Sequence, residues 1–324
     1  MKNKKLLTLA MAFLMLPLLL VPVTEAQTTE KPVIVCTTSA VGSVVEQFLG
    51  DKAEVLVLVH PGLCPADFDL KPGYVDAINR ATILFDQGIP GEFWLSSLLN
   101  ASSNQDLTIV TIPGVYNTPA GAKNYIRGVG GNLSQILEVN LDSEMASMLS
   151  EVDSVSSWMS GQASSLQVSN VKVICMAWLK TFIDSAGFNV VATYNPPETL
   201  SAADITELLE IAQDEGVALV VDNLQIDVEF GEGIASHVGA EHLVLTNFPG
   251  AIPNTETLAS MLQYNAEQLF NGTVTWQSTS SLKAEKVDLQ NQVALFQITT
   301  ALAVIIALVE AVLLYARRKK KSDT

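Results

Sequence analysis

Residues 141–167 read LDSEMASMLSEVDSVSSWMSGQASSLQ. Met145, Met148, Leu149, Val152, Val155 and Met159 recur at helical spacing, and the stretch carries no proline and no strand signal. The spacing predicts one long helix with an apolar stripe. Upstream, four short apolar runs, Pro32 to Cys36, Val55 to Val59, Thr82 to Phe85 and Leu107 to Ile112, have the composition of strands buried on both faces. Helical segments separate several of them: Val41 to Leu49, Gly73 to Asn79 and Glu92 to Asn100. A second series follows the helix, with strands at Val171 to Cys175, Phe188 to Thr193, Val217 to Val221 and His242 to Leu245. Its helices fall at Ala177 to Ala186, Ser201 to Glu215, Val228 to Val238 and Thr255 to Phe270, and Ser201 with Asp204 matches a helix-start signature. The expected fold class is therefore α/β: two parallel-sheet α/β lobes, over residues 27–140 and 169–271, joined by one long linking helix over 141–168, plus a C-terminal transmembrane helix.

Both ends of the chain point to a membrane. Residues 1–26 have a basic start, an apolar run from Leu6 to Val23 and a small residue before Gln27, the three parts of a secretory signal. The run is long and contains Pro17, so an uncleaved signal anchor is the alternative. Residues 293–316 form an apolar run with one charge, Glu310, followed by a basic tail over 317–324. That order places a single span with its tail in the cytoplasm and the body outside. Residues 272–292, rich in Ser and Thr at their start, read as a stalk, with charge at helical spacing over Lys283 to Gln292 that is expected to continue the membrane helix outward. Sequons at Asn100, Asn132 and Asn271 are candidate glycosylation sites on such a body.

Charge and motif content exclude several function classes. Between residues 27 and 291 the chain holds 10 Lys and Arg against 31 Asp and Glu. A body so acidic repels phosphate backbones, so nucleic acid is not a partner. No phosphate loop, nucleophile elbow, HExxH or CxxC motif occurs, and the GVGG fragment at Gly128 to Gly131 follows no clear strand and reads as a loop. His60, His237 and His242 are the only histidines, and no nucleophile motif adjoins them; an enzyme is disfavoured. Cys36 and Cys175 sit in apolar runs that read as core, whereas Cys64 lies in a loop. That loop, HPGLCPADFDLKP, gathers His60, Cys64, Asp67 and Asp69 directly after a strand, and these are metal-donor types. Asp67 and Asp69 alternate with Phe68 and Leu70, so they also fit the wet side of an extended segment. In a two-lobed α/β protein a ligand belongs in the cleft where the carboxyl ends of the strands meet.

The blocks GDKAEVLVLVHPG (50–62), CPADFDLKPGYVDAINRATILFDQGIPGEFW (64–94), VICMAWLKTFIDSAGF (173–188), EIAQDEGVALVVDNLQ (210–225) and FPGAIPNTETLASMLQYNAEQL (248–269) carry a resemblance. In order and spacing they resemble the TroA-like, zinc- and manganese-type solute-binding proteins of ABC importers. The resemblance implies two lobes on a linking helix, a metal cargo held between them, and an ABC permease and ATPase as partners. It also implies four ligand positions, and this chain departs from the pattern at them. Ala66 occupies the first histidine position, no histidine lies between His60 and His237 to serve as the second, Thr193 aligns with the third and Asn247 with the fourth. Neutral amide and hydroxyl groups do not reproduce a zinc cage. Two outcomes are open: a rebuilt site in which Cys64, Met176 and Cys175 supply sulfur and Asp67 a carboxylate, favouring a softer ion such as Cu(I) over the family's Zn or Mn, or a cleft for another solute, such as a chelated metal or small organic molecule, or for none. An exported surface protein that kept the fold as an interaction or sensor module is the reading from another class. The acidic body and protein anchor suggest an archaeal-type cell surface. Protease added to intact cells is expected to remove the body while a tag placed after Thr324 stays protected; digestion of the tag would reverse this orientation.

Overall fold

The computed structural model describes residues 31–322, so the expected signal, residues 1–26, lies outside the described residues. Strands β1 (Val33–Cys36), β2 (Glu54–Val57), β3 (Ile83–Asp86) and β4 (Thr108–Thr111) form one sheet in the order β2-β1-β3-β4. Strands β5 (Lys172–Met176), β6 (Asn189–Tyr194), β7 (Leu219–Asn223) and β8 (Glu241–Leu245) form a second in the order β6-β5-β7-β8. Every pairing is parallel, with Val35 beside both Leu56 and Leu84, and Cys175 beside both Thr193 and Val221. The central strands are the apolar ones: β3 and β7 are buried throughout, whereas the edge strand β4 is mostly exposed and carries Thr at both ends. Burial on both faces is what selects near-continuous apolar sequence in a parallel sheet.

Helices α1 (Ser39–Leu49), α2 (Pro72–Arg80), α3 (Leu95–Ala101) and α4 (Pro119–Leu137) belong to the first lobe. Helix α5 (Asp142–Leu166) follows, then α6 (Lys180–Ser185), α7 (Ala202–Asp214), α8 (Glu229–Val238) and α9 (Leu258–Ser322). Helix α5 buries Met148, Val152, Val155 and Met159, the stripe read from the sequence, and packs against α4 and α9. Its buried side chains belong to one hydrophobic cluster that runs from Ile34 and Phe48 in the first lobe to Val173 and Val221 in the second. The lobes therefore share a core along α5, and separating them widely would expose it to water.

Two segments differ from the sequence reading. Gly128 to Gly131 lies inside α4 and is not a loop. Ala122, Ile126, Val129 and Leu133 form the buried stripe of that helix, and glycine's poor helix propensity masked the spacing. Gly130 is a packing notch: a Cβ there would lie 2.5 Å from Phe48 Cζ and 2.7 Å from Met145 Cε. The stretch read as a stalk is helical as well, because α9 runs without a break from Leu258. Its hydroxyls are satisfied within the helix: Thr273 Oγ1 donates to Leu269 O, Thr275 Oγ1 to Asn271 O and Ser278 Oγ to Val274 O. Donation to the carbonyl four residues back pairs these three hydroxyls inside the helix, at a slight cost in helix stability. At 1.5 Å per residue α9 is about 100 Å long. Leu258, Met261, Leu262, Ala266 and Leu269 at its start pack into the core, and its later portion holds a window of mean hydropathy 2.3, apolar and long enough to cross a membrane.

Thr118 caps α4 by accepting from Gly121 N, and the chain before it crosses so closely that a Cβ on Gly121 would lie 2.3 Å from Val115 O. Gly121→Ala must push that backbone away, and overpacking of this kind costs about 1–3 kcal/mol. Denaturant unfolding is expected to show a loss of that size; an unchanged midpoint would mean that the turn at 114–118 yields freely.

Candidate functional site

Parallel strands end at the same edge of their sheet, so the loops that follow them converge. Here the loops after the strands of both lobes enclose a cavity of about 600 Å³. The first lobe contributes Cys64, Pro65 and Ala66 after β2, Gln87, Ile89 to Gly91 and Phe93 after β3, and Gly114 to Asn117 after β4. The second contributes Trp178 and Thr181 after β5, Asn223 and Gln225 at the end of β7, and Asn247 and Phe248 after β8.

The first-lobe wall is set by Glu92, which is buried at 7% exposure. Its carboxylate accepts from Thr37 Oγ1, from Gln87 N at 3.3 Å and from Ile89 N at 3.2 Å, which ties the turn after β3 to the end of β1. Thr38 Oγ1 donates to Gln87 Oε1 at 2.6 Å. Trp94 Nε1 donates to Pro65 O at 2.9 Å, and Phe68 stacks on Trp94 with ring centres 4.2 Å apart. Ala66 is thereby held against the cavity. Burial outweighs the three hydrogen bonds on Glu92 and pushes its carboxyl above the ordinary value of 4.5.

The second-lobe wall is organised by amides. Gln225 Nε2 donates to Thr246 Oγ1 at 2.9 Å, and Gln225 Oε1 accepts from Asn247 N at 3.3 Å. Asn265 of α9 grips the same loop, donating to Thr246 O at 2.7 Å and accepting from Thr246 N at 3.1 Å. Three hydrogen bonds cross between the lobes: Asn117 Nδ2 to Asn247 Oδ1 at 2.9 Å, Asn117 Nδ2 to Trp178 O at 3.2 Å, and Gln225 Nε2 to Pro61 O at 2.8 Å. Tyr116 stacks on Phe248 across the same boundary. The lobes are thus latched by neutral groups.

The candidate residues are distributed unequally about this cavity. Cys64 and Asn247 line it, as does Ala66. His60 is exposed, with Nδ1 accepting from Gly62 N at 3.1 Å, and Asp67 and Asp69 are exposed. Met176 is fully buried behind the wall, its sulfur accepting from Trp178 N at 3.4 Å. Thr193 lies on the edge strand β6 and lines a separate pocket with Tyr194 and Asp204, so the structure does not bring it to the cavity. Cys175 is fully buried and its thiol is pushed up to about 12, chiefly by burial. Burial is also the largest influence on Cys64, whose thiol is raised with it. Among the described residues no group of three His, Cys, Asp or Glu side chains could hold a metal ion. His242 pairs with Asp222 at 2.7 Å, and Asp222 accepts from Tyr194 Oη, a polar cluster that lies off the cavity lining. Of the sequon residues, Asn100 and Asn271 are exposed and Asn132 is half-buried, its Nδ2 bonded to Gly128 O.

Sequence reasoning did not single out Gln87, Asn117, Asn223 and Gln225. Gln87, Asn223 and Gln225 stand in loops whose position after a strand was a signal, but nothing local distinguishes a cleft amide from any other.

Two measurements follow. A protonated, buried thiol is a poor nucleophile, so Cys64 is expected to react with iodoacetamide at least ~10-fold more slowly than free cysteine; a rate equal to the free thiol would contradict this environment. The raised Glu92 carboxyl means that the native state favours the neutral form. Its contribution is fully present below the ordinary value of 4.5 and is lost as pH rises through the raised value. Between pH 4 and 7 the melting temperature of the wild type is expected to fall relative to Glu92→Gln, and parallel profiles would refute it.

A family model described as "ZnuA: Zinc-uptake complex component A periplasmic" matches residues 34–272. No curated protein sequence matches the chain. Among solved structures, a Mn-bound periplasmic metal binding protein from Candidatus Liberibacter asiaticus superposes with a TM-score of 0.64 at 12% identity, covering 75% of this chain and 100% of that one. A crystal structure of ZnuA gives 0.61 at 19% identity, covering 74% and 98%. The solute-binding protein FpvC from P. aeruginosa, in complex with Ni2+, gives 0.65 at 12% identity, covering 76% and 98%. At these identities the superpositions establish the two-lobed fold, and the match over 34–272 establishes the lineage: the chain belongs to the ZnuA family of periplasmic zinc-uptake components.

Proposed function

We propose that the chain is the extracytoplasmic solute-binding receptor of an ABC importer, tethered by α9 with its basic tail in the cytoplasm, and that its cargo is a metal ion or metal-containing species bound between the lobes. The observation that carries this reading is the cavity of about 600 Å³ at the carboxyl ends of both sheets, in a chain matched from residue 34 to residue 272 by a zinc-uptake component. Mn-bound and Ni-bound relatives of the same fold make a transition metal a reasonable cargo. In this reading the mechanism is capture and release by a small lobe movement. Opening breaks the Asn117 to Asn247, Asn117 to Trp178 and Gln225 to Pro61 bonds, each worth about 1 kcal/mol net. The core shared along α5 keeps the movement small.

A second reading, a surface interaction or sensor protein that kept the fold and lost metal binding, is favoured by one observation: no side chain lining the cavity is an acid, a base or a histidine. The two are separated by isolating the full-length chain from its native membranes in mild detergent after cross-linking. Near-stoichiometric metal by elemental analysis, with an ABC permease among the cross-linked partners, is the expected result. A chain recovered with neither would favour the interaction protein.

A further inference from the structure

The cavity's size, charge and one unpaired group together say more about the cargo than the fold does. A volume of about 600 Å³ is roughly twenty times the share of one water, about 30 Å³ in the liquid, and falls within the ~300–1,000 Å³ range of organic-ligand pockets. A bare transition ion needs several donors converging at about 2.0–2.3 Å, and among the described residues no group of three His, Cys, Asp or Glu side chains supplies them. None of the lining residues is Asp, Glu, Lys, Arg or His, so an ionised solute would enter without a counter-charge, at high cost.

What lines the cavity instead is amide and aromatic surface. Phe93 and Trp178 sit at the rim, one from each lobe, and are 68% and 46% exposed. Aromatic side chains this large are ordinarily covered, and a pair on opposite lobes can close on the two faces of a flat ligand. Of the amides, Gln225 is already engaged by Pro61, Thr246 and Asn247. Asn223 is different: the residue lines the cavity at the end of β7 and is 1% exposed, and its Oδ1, closed off from the cavity in this conformation, has no hydrogen-bond partner. Buried polar atoms are nearly always paired, and the broad torsion about the Cβ–Cγ bond of Asn lets that amide turn toward a ligand.

We infer that the cleft recognises an uncharged organic ligand, with or without a metal at its centre, that offers an N–H or O–H donor to Asn223 and a flat face to Phe93 and Trp178. This rests on the receptor reading and specifies the cargo of the same site. A neutral chelate satisfies both, because the organic ligands then supply the metal's donors and the protein need supply none.

The test uses the full chain in detergent micelles and equilibrium dialysis with three nickel probes: Ni2+ alone, the neutral bis(histidinato) complex, whose imidazoles are flat and carry N–H donors, and the anionic citrate complex. The neutral complex is expected to bind at least ~10-fold more tightly than either of the others, corresponding to about 1.4 kcal/mol. Asn223→Leu, which removes the unpaired oxygen, is expected to weaken it by ~10-fold or more without lowering the melting temperature, and Trp178→Ala to weaken it similarly. Binding of bare Ni2+ or the citrate complex as tightly as the neutral one overturns the inference, as does failure to bind the neutral complex or an Asn223→Leu variant that binds it unchanged. Metal found on the natively isolated chain separates this from the receptor reading: with metal present but no preference for the neutral probe, the receptor stands and the inference falls. A metal-free organic molecule on that chain, released on denaturation and identified by mass, removes the metal cargo, and an ionised one overturns the inference as well.

Discussion

Parallel pairing is the constraint on which the rest of the molecule depends. Because β1 to β4 run one way in their sheet and β5 to β8 one way in theirs, each sheet delivers all its following loops to a single edge. The core shared along α5 holds those two edges against each other. The cavity is what remains between the loops. It owes its position to sheet polarity and its closure to Asn117 and Gln225, whose side chains reach from one lobe to the other.

The chemistry of that closure differs from the chemistry of the surface. The body outside is strongly acidic, with 31 Asp and Glu against 10 Lys and Arg over residues 27–291, and such a field concentrates cations near the protein. Inside the cleft no carboxylate lines the wall, and Glu92, the nearby buried acid, is occupied by Thr37 and by backbone N–H groups. The negative charge of the surface and the neutrality of the cleft are therefore carried by different residues. Neutral amides latch the lobes weakly, at about 1 kcal/mol net for each bond.

Helix α9 runs without a break from the cleft to the apolar segment near its far end. Asn265, one turn after the buried Met261, holds Thr246 through both its backbone N–H and its carbonyl, and the next residue, Asn247, completes the inter-lobe latch. In the Ser- and Thr-rich stretch that follows, Thr273, Thr275 and Ser278 bond within the helix, which runs on unbroken. A continuous helix of about 100 Å fixes the direction of its apolar end relative to the body in a way that a flexible linker does not.

Much of the architecture was legible from local pattern. Central strands such as Ile83–Asp86 must be apolar on both faces, and α5 must repeat Met148, Val152, Val155 and Met159 at helical spacing, so periodicity alone identified two lobes, their linking helix and the apolar end of α9. Where composition opposed the structure, the reading failed: the glycines of α4 are there for close packing on Phe48 and Met145, a contact between residues far apart in the chain. The site was the least legible part. Cys64 and Asn247 could be placed near a cleft by their position after strands, but Thr193 faces another pocket and Met176 lies behind the wall, because one step along a strand turns a side chain to the opposite face. Thus the sequence by itself determined fold class, lineage, charge and the apolar C-terminal segment, which depend on composition and spacing. Only the tertiary structure decided that Gln87, Asn117, Asn223, Gln225 and Asn247 meet in one uncharged cavity, because their convergence depends on how the two sheets are set against each other and not on any neighbour in the chain.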